Sequence, residues 1–195
     1  MDVKLVSPPA EKVVSLAAAK QQLRIDPSFN LDDAYIETLV DAATAYLDGR
    51  GGILGRAIVS QTWAGVIDYE WPCEISVPLP PLQSVSEIRY IAPDGVEKVL
   101  DADQYRVITT GEPGLVVPAW GVSWPDVRRQ RGAITVTFVA GYGAAADAPA
   151  NIGQMVLFLV SHWYMQRVPV TVGSAANKIP QTFDALFNNA RIWGF

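Results

Sequence analysis

Apolar residues recur along this chain at two different spacings, and the switches between them divide it. After an opening stretch punctuated by Pro8 and Pro9, Ser15 is placed to cap a helix through its hydroxyl. Leu16 to Ile25 then follows with Leu16, Ala19 and Leu23 on one side, and Asp26-Pro27 stops it. A second helix is predicted from Asp32 to Asp48, where Ile36, Leu39, Val40, Ala43 and Leu47 share a face. Asp32 and Asp33 complement the positive start of that helix, and Gly49 suits a left-handed exit. From Ala57 the period becomes two. Val59, Trp63, Ile67 and Tyr69 oppose Ser60, Thr62 and Asp68 in one strand, and Ile75, Val77 and Leu79 alternate in a short second one. Ile88 and Tyr90 then oppose Glu87 and Arg89, and Pro93-Asp94-Gly95 turns the chain into Val96 to Leu100. Tyr105 to Thr109 and Leu115 to Val117 are weaker strands, whereas Ile134, Val136, Phe138 and Ala140 alternate cleanly with Thr135 and Thr137 before Gly141.

Helical spacing returns at Pro149, which fits the first turn of a helix running to Arg167. Ile152, Val156, Leu159, Val160 and Trp163 lie on one side of it, but Met155, Phe158 and Tyr164 fall elsewhere, so the helix is apolar nearly all round and needs several neighbours. Val168 to Pro180 reads as an extended arm. Phe183, Leu186, Phe187 and Ala190 then resume helical spacing behind Thr182 as a cap. The order helix, helix, sheet, helix, tail, with no βαβ alternation, implies an α+β fold. Its parts are a helical bundle of two N-terminal helices plus a long C-terminal helix, an inserted antiparallel β-domain of about six strands, and an extended C-terminal arm. The corresponding divisions are 1–56 for the N-terminal helical part, 57–143 for the β-domain, 144–167 for the C-terminal helix and 168–195 for the arm with its short amphipathic helix.

Composition narrows the function. Half of the 195 residues are hydrophobic and 18% are charged, enough for a packed core. Fifteen basic against twenty acidic side chains give a net charge of -5, which argues against a general nucleic-acid clamp. One cysteine, Cys73, makes no internal disulfide, and together with the one histidine, His162, it supplies no zinc set; a reducing compartment follows. The opening residues lack the apolar run of a secretory signal, and the apolar core around Met155 to Val160 is far shorter than a bilayer requires.

Motifs for chemistry are thin. Gly141-Tyr-Gly143-Ala-Ala-Ala146 fits a loose dinucleotide fingerprint, but no helix opens at once behind it and no parallel strand follows, so it reads as a strand-ending turn. Gly49 to Gly55 lacks the Lys-Ser/Thr ending of a P-loop. His162 has no carboxylate three or four residues away to orient it, and reads as a packed or interface histidine. No basic group stands near Cys73 in the sequence to activate it, so it reads as a structural thiol rather than a nucleophile. Asp101 and Asp103 form a D-x-D pair able to hold a metal, against the reading of a solvated turn.

Two charge patterns and the tail carry more. Asp33, Glu37 and Asp41 make an acidic stripe at i, i+4, i+8, either a solvated face or a surface that must not stick to DNA. Arg128, Arg129 and Arg131 form the one basic cluster, either an exposed loop or a contact for phosphate or carboxylates. Phe183, Leu186, Phe187, Ile192, Trp193 and Phe195 put six large apolar side chains into the last thirteen residues, where chains are normally polar. Either the chain's own core covers them or a partner's groove does.

The segments LVSPPAEKVVSLAAAKQQLRID, DDAYIETLVDAATAYLD, QTWAGVIDYEWPCEISVPLPPLQSVSEIRYIAPDG and VTFVAGYG, with SHWYMQR and RIWGF, together resemble the long-form head-to-tail connector, or adaptor, proteins of tailed bacteriophages and gene transfer agents. Gly51 and Gly52 depart from that pattern by lengthening the exit of the second helix. The resemblance implies a non-enzymatic virion protein that assembles in the bacterial cytoplasm and then stands in the neck of the particle. It implies a ring of twelve copies between the portal and a tail or stopper protein, with DNA passing through unbound and no cofactor or membrane involved. On that reading Phe183, Leu186, Phe187, Ile192, Trp193 and Phe195 face the portal, Met155, Phe158, His162 and Tyr164 the ring neighbour, and Asp33, Glu37 and Asp41 the channel. The other readings are a stopper or tail terminator of the same particle, and a metal-dependent enzyme using Asp101 and Asp103.

Overall fold

The computed structural model describes residues 1–166 and 181–192. Among them the chain runs β1 (Asp2–Ser7), α1 (Leu16–Leu23), α2 (Asp33–Leu47), β2 (Gln61–Ile67), β3 (Ile75–Val77), β4 (Leu82–Ile91), β5 (Glu97–Val99), β6 (Tyr105–Ile108), β7 (Gly114–Pro118), β8 (Ile134–Ala140), α3 (Ala150–Met165) and α4 (Gln181–Ala190). The fold is α+β, and every strand pair is antiparallel. Two units share the chain: Met1–Ala10 with Arg56–Tyr142, and Glu11–Gly55 with Gly143–Phe195.

In the first unit β8 is the organising strand. Ile134, Val136, Phe138 and Ala140 are all buried, as the clean alternation requires, and β2 and β4 pair with its two edges in a sheet ordered β1-β2-β8-β4-β5. A second sheet, β3-β7-β6, contributes Ile75, Val77 and Val116 to the same core as Trp63, Ile88, Val136 and Phe138. The sequence reading missed β1 and assigned residues 1–56 to the helical part; Met1–Ala10 belongs instead with the sheet. This strand covers the outer edge of β2, with Val3 opposite Gly65 and Leu5 opposite Trp63, and most of it is exposed, so no apolar alternation marks it. The sequence also marked only the end of β4. Register shifts between Leu82 and Ser84 and between Val85 and Glu87 interrupt its alternation, so Leu82, Val85 and Ile88 turn toward the core at intervals of three.

The chain passes into the long second stretch of this unit at Arg56 and leaves it at Tyr142, and those two side chains meet. The Arg56 guanidinium lies 5.6 Å from the Tyr142 ring centre and donates to its hydroxyl. Its two terminal nitrogens also grip the Glu112 carboxylate at 3.3 and 3.1 Å. Burial pushes the Tyr142 phenol up, and the arginine opposes that shift.

In the second unit α2 packs on α3, α1 touches both, and α4 lies on α3. The Ser15 hydroxyl accepts the Ala18 N–H at 3.2 Å, so α1 starts where its cap was expected. It ends at Leu23, two residues short of the expected Ile25, because Arg24 takes a left-handed conformation and ends the helix. All five apolar residues assigned to the inner face of α2 are buried, and Gly49, with φ 71°, turns the chain out of that helix. Pro149 stands just before α3 as its cap residue, and α4 starts at Gln181, so Thr182 lies inside it. The expected arm, Val168 to Pro180, lies outside the described residues, as does Arg167.

Candidate assembly surfaces

Helix α3 separates into an inner and an outer side. Ile152, Met155, Val156, Leu159 and Val160 are buried in the unit's own core, which removes Met155 from the expected ring-facing set. Periodicity placed it off the main face, but α1, α2 and α4 all lie against α3 and widen the covered arc. Phe158 and His162 remain half-buried one turn apart, and Met165, which sequence reasoning passed over, is 83% exposed on the same side. Tyr164 is held within its own unit: its hydroxyl donates to Asp32, and its ring lies 6.0 Å from that of Tyr35.

The tail helix is partly self-docked. Phe183 and Ala190 are buried, whereas Leu186, Phe187 and Ile192 are half-buried. The Phe183 and Phe187 rings stack at 6.4 Å, Arg191 lies over the Phe187 ring, and the Ile192 N–H reaches the Leu54 carbonyl at 3.2 Å. Phe183 therefore anchors α4 to its own unit rather than standing free for a partner. Trp193 and Phe195 lie outside the described residues.

The acidic stripe on α2 is less acidic than its spacing suggested. Lys20 meets Asp33 at 2.8 Å and Lys12 meets Asp41 at 2.8 Å, which leaves Glu37 as the exposed carboxylate between two neutralised ones. Both lysines come from segments outside α2, so spacing within the helix gave no hint of them. Lys20 is buried, and its ammonium also donates to the Pro27 and Phe29 carbonyls at 3.0 and 2.7 Å, fixing the connection between α1 and α2. Lys20→Met is expected to cost about 2–3 kcal/mol in urea unfolding, because two carbonyls and a carboxylate lose their donor together. A loss below about 0.5 kcal/mol would show that the connection is held by other means.

Beside this ammonium opens a cavity of about 610 Å³. Leu16, Ala17, Ile25 and Pro27 line it together with Lys20 and Arg24. On the same corner Leu31 is 86% exposed and Phe29 is also exposed.

In the sheet unit the three arginines sit in the connection from β7 to β8. Arg128 and Arg129 are exposed; Arg129 lies 3.7 Å from Glu70, and Arg131 donates to the Tyr69 hydroxyl at 3.3 Å. The same connection is tied down by a reciprocal tryptophan pair. Trp71 and Trp124 stack at 4.7 Å, Trp71 donates to the Pro125 carbonyl at 2.8 Å, and Trp124 donates to the Pro72 carbonyl at 2.9 Å. Asp101 and Asp103 are exposed in and beside a short 3-10 turn, and among the described residues no group of three or more His, Cys, Asp or Glu is placed to hold a metal. No helix among the described residues is long and apolar enough to cross a membrane.

No family model and no curated protein matches the chain. Solved structures do share its fold. All of the chain aligns with 97% of a chain from the neck of an empty gene transfer agent particle computed with C6 symmetry, at TM-score 0.78 and 22% identity. The same coverage holds for a chain from the virion of a native gene transfer agent particle, at 0.77 and 22%. It holds again for a chain from the neck of a native particle computed with C12 symmetry, at 0.67 and 19%. Over its whole length, the chain thus has the fold of proteins that build gene transfer agent particles, two of them from the neck.

Proposed function

We propose that this chain is a structural head-to-tail connector of the long-form adaptor kind. Twelve copies form a ring in the neck of a phage or gene transfer agent particle, between the portal and a tail or stopper protein. The observation that carries the reading is the likeness of the entire chain, helices and sheet unit alike, to neck chains of such a particle. The residues support it in two ways. The outer side of α3, with Phe158, His162 and the exposed Met165, offers an apolar surface suited to a ring neighbour. The C-terminal segment, anchored through Phe183, carries Leu186, Phe187, Ile192, Trp193 and Phe195 toward the portal.

DNA passage is a matter of net charge. Each copy contributes -5, so a ring repels the duplex rather than gripping it, and Asp33 and Asp41 add little because lysines neutralise them. Glu37 is the stripe residue suited to the channel wall.

In-vitro complementation tests the role. Heads assembled without this chain should be filled but tailless, and adding the purified chain with tails should yield complete particles. Tails that attach equally well without the chain would overturn the reading.

A further inference from the structure

The connection from β7 to β8, residues 119–133, contains neither helix nor strand, and irregular connections of that length in a packed domain usually serve a function. It is held firmly all the same. The Ala119 N–H is pinned to the Gln104 carbonyl at 2.9 Å, the Arg128 N–H to the Ile91 carbonyl at 2.8 Å and the Gly132 N–H to the Asp68 carboxylate at 2.7 Å, while the Gln130 carbonyl accepts the Tyr69 N–H at 2.8 Å. The reciprocal Trp71 and Trp124 pair fastens its middle.

Two side chains on this fastened backbone stand open to solvent. Trp120 is 98% exposed at the second position of a tight turn, which the Val122 N–H closes on the Ala119 carbonyl at 3.0 Å with Gly121 at φ 77° in the third position. The Arg128 side chain is exposed and makes no hydrogen bond or ion pair among the described residues, unlike Arg129 and Arg131, which face Glu70 and Tyr69. Tryptophan and arginine are the side chains that most often anchor protein interfaces, and a backbone fixed beforehand has little freedom left to lose on binding. A DNA duplex fits them poorly, because the chain carries a net charge of -5 and two of the three arginines already face groups of the chain itself. They suit a protein surface that offers an apolar slot for an indole and a carboxylate for a guanidinium.

The connector reading leaves one partner without residues. The outer side of α3 is assigned to the ring neighbour and the C-terminal segment to the portal, both in the other unit of the chain, and the tail or stopper protein has none. We infer that the β7–β8 connection docks on this tail-side protein, with Trp120 entering an apolar slot and Arg128 meeting a carboxylate. The inference rests on the connector reading, and it names residues for a contact that neither sequence spacing nor the likeness to neck chains specifies.

Filled heads lacking this chain, given the purified chain and then isolated tails, test it in two separate steps: loading of the chain onto heads, and attachment of tails. Trp120→Ser should melt and load as the unaltered chain does, because the side chain stands in solvent, while the concentration of tails needed for attachment rises by at least about 30-fold. Trp120→Phe should recover part of that loss. Arg128→Ala should raise the same concentration by about 10-fold and lessen its dependence on salt. Tails that attach to heads carrying Trp120→Ser as they do to unaltered ones would overturn this contact and leave the connector reading standing. Poor loading of an otherwise folded Trp120→Ser chain would also overturn it, and assign the tryptophan to the portal or the ring neighbour. Tail attachment unchanged by Arg128→Ala, with weaker retention of a short DNA duplex, would assign that arginine to phosphate and overturn its part. If heads carrying the unaltered chain take no tails, the connector reading fails and this contact fails with it.

Discussion

Trp124→Ala is expected to lower the unfolding free energy by about 3 kcal/mol, measured by urea denaturation. Three losses combine: the buried part of a large aromatic, the stacking on Trp71, and the hydrogen bond to the Pro72 carbonyl. Trp124→Phe keeps an aromatic ring at the site and loses the indole donor, so its cost should be nearer 1 kcal/mol. Trp71→Ala should resemble Trp124→Ala, since Trp71 also faces Tyr90 at 5.8 Å and donates to the Pro125 carbonyl. The double substitution should cost less than the two singles added, by about 1 kcal/mol, because each single already breaks the shared stack. Strict additivity would mean that the two rings act independently, contrary to the reciprocal geometry.

The second large effect is on partner binding. Trp193→Ala together with Phe195→Ala should abolish capture by immobilised portal, a loss of at least about 100-fold, while leaving the melting temperature unchanged. Phe183→Ala should behave in the opposite way. Phe183 is buried in its own unit, so truncating it should destabilise the fold by about 3 kcal/mol. Portal capture that survives the Trp193 and Phe195 replacements would remove the C-terminal segment from that interface.

The sequence was most legible where one local rule decided the outcome. The cap at Ser15, the inner row of α2, the exit at Gly49 and the alternation of β8 all appear at the expected residues. The misses have physical causes that act across the chain. Strand β1 is an exposed edge that answers to its partner β2 rather than to a core, and the bulges of β4 reset the phase of its inward residues. Met155 looked like a candidate for a neighbour because helical spacing cannot show how many elements of the same chain surround a helix. The acidic stripe looked free because Lys12 and Lys20 arrive from other segments. Six tryptophans are equivalent as letters; only the structure separates Trp124, stacked within the sheet unit, from Trp120, held out in water.

Electron cryo-microscopy of the purified chain mixed with isolated portal rings tests the central claim most directly. The account predicts one added layer of twelve copies seated on the portal around an open channel, with the C-terminal segments directed at the portal. A bare portal beside monomeric chain would contradict it.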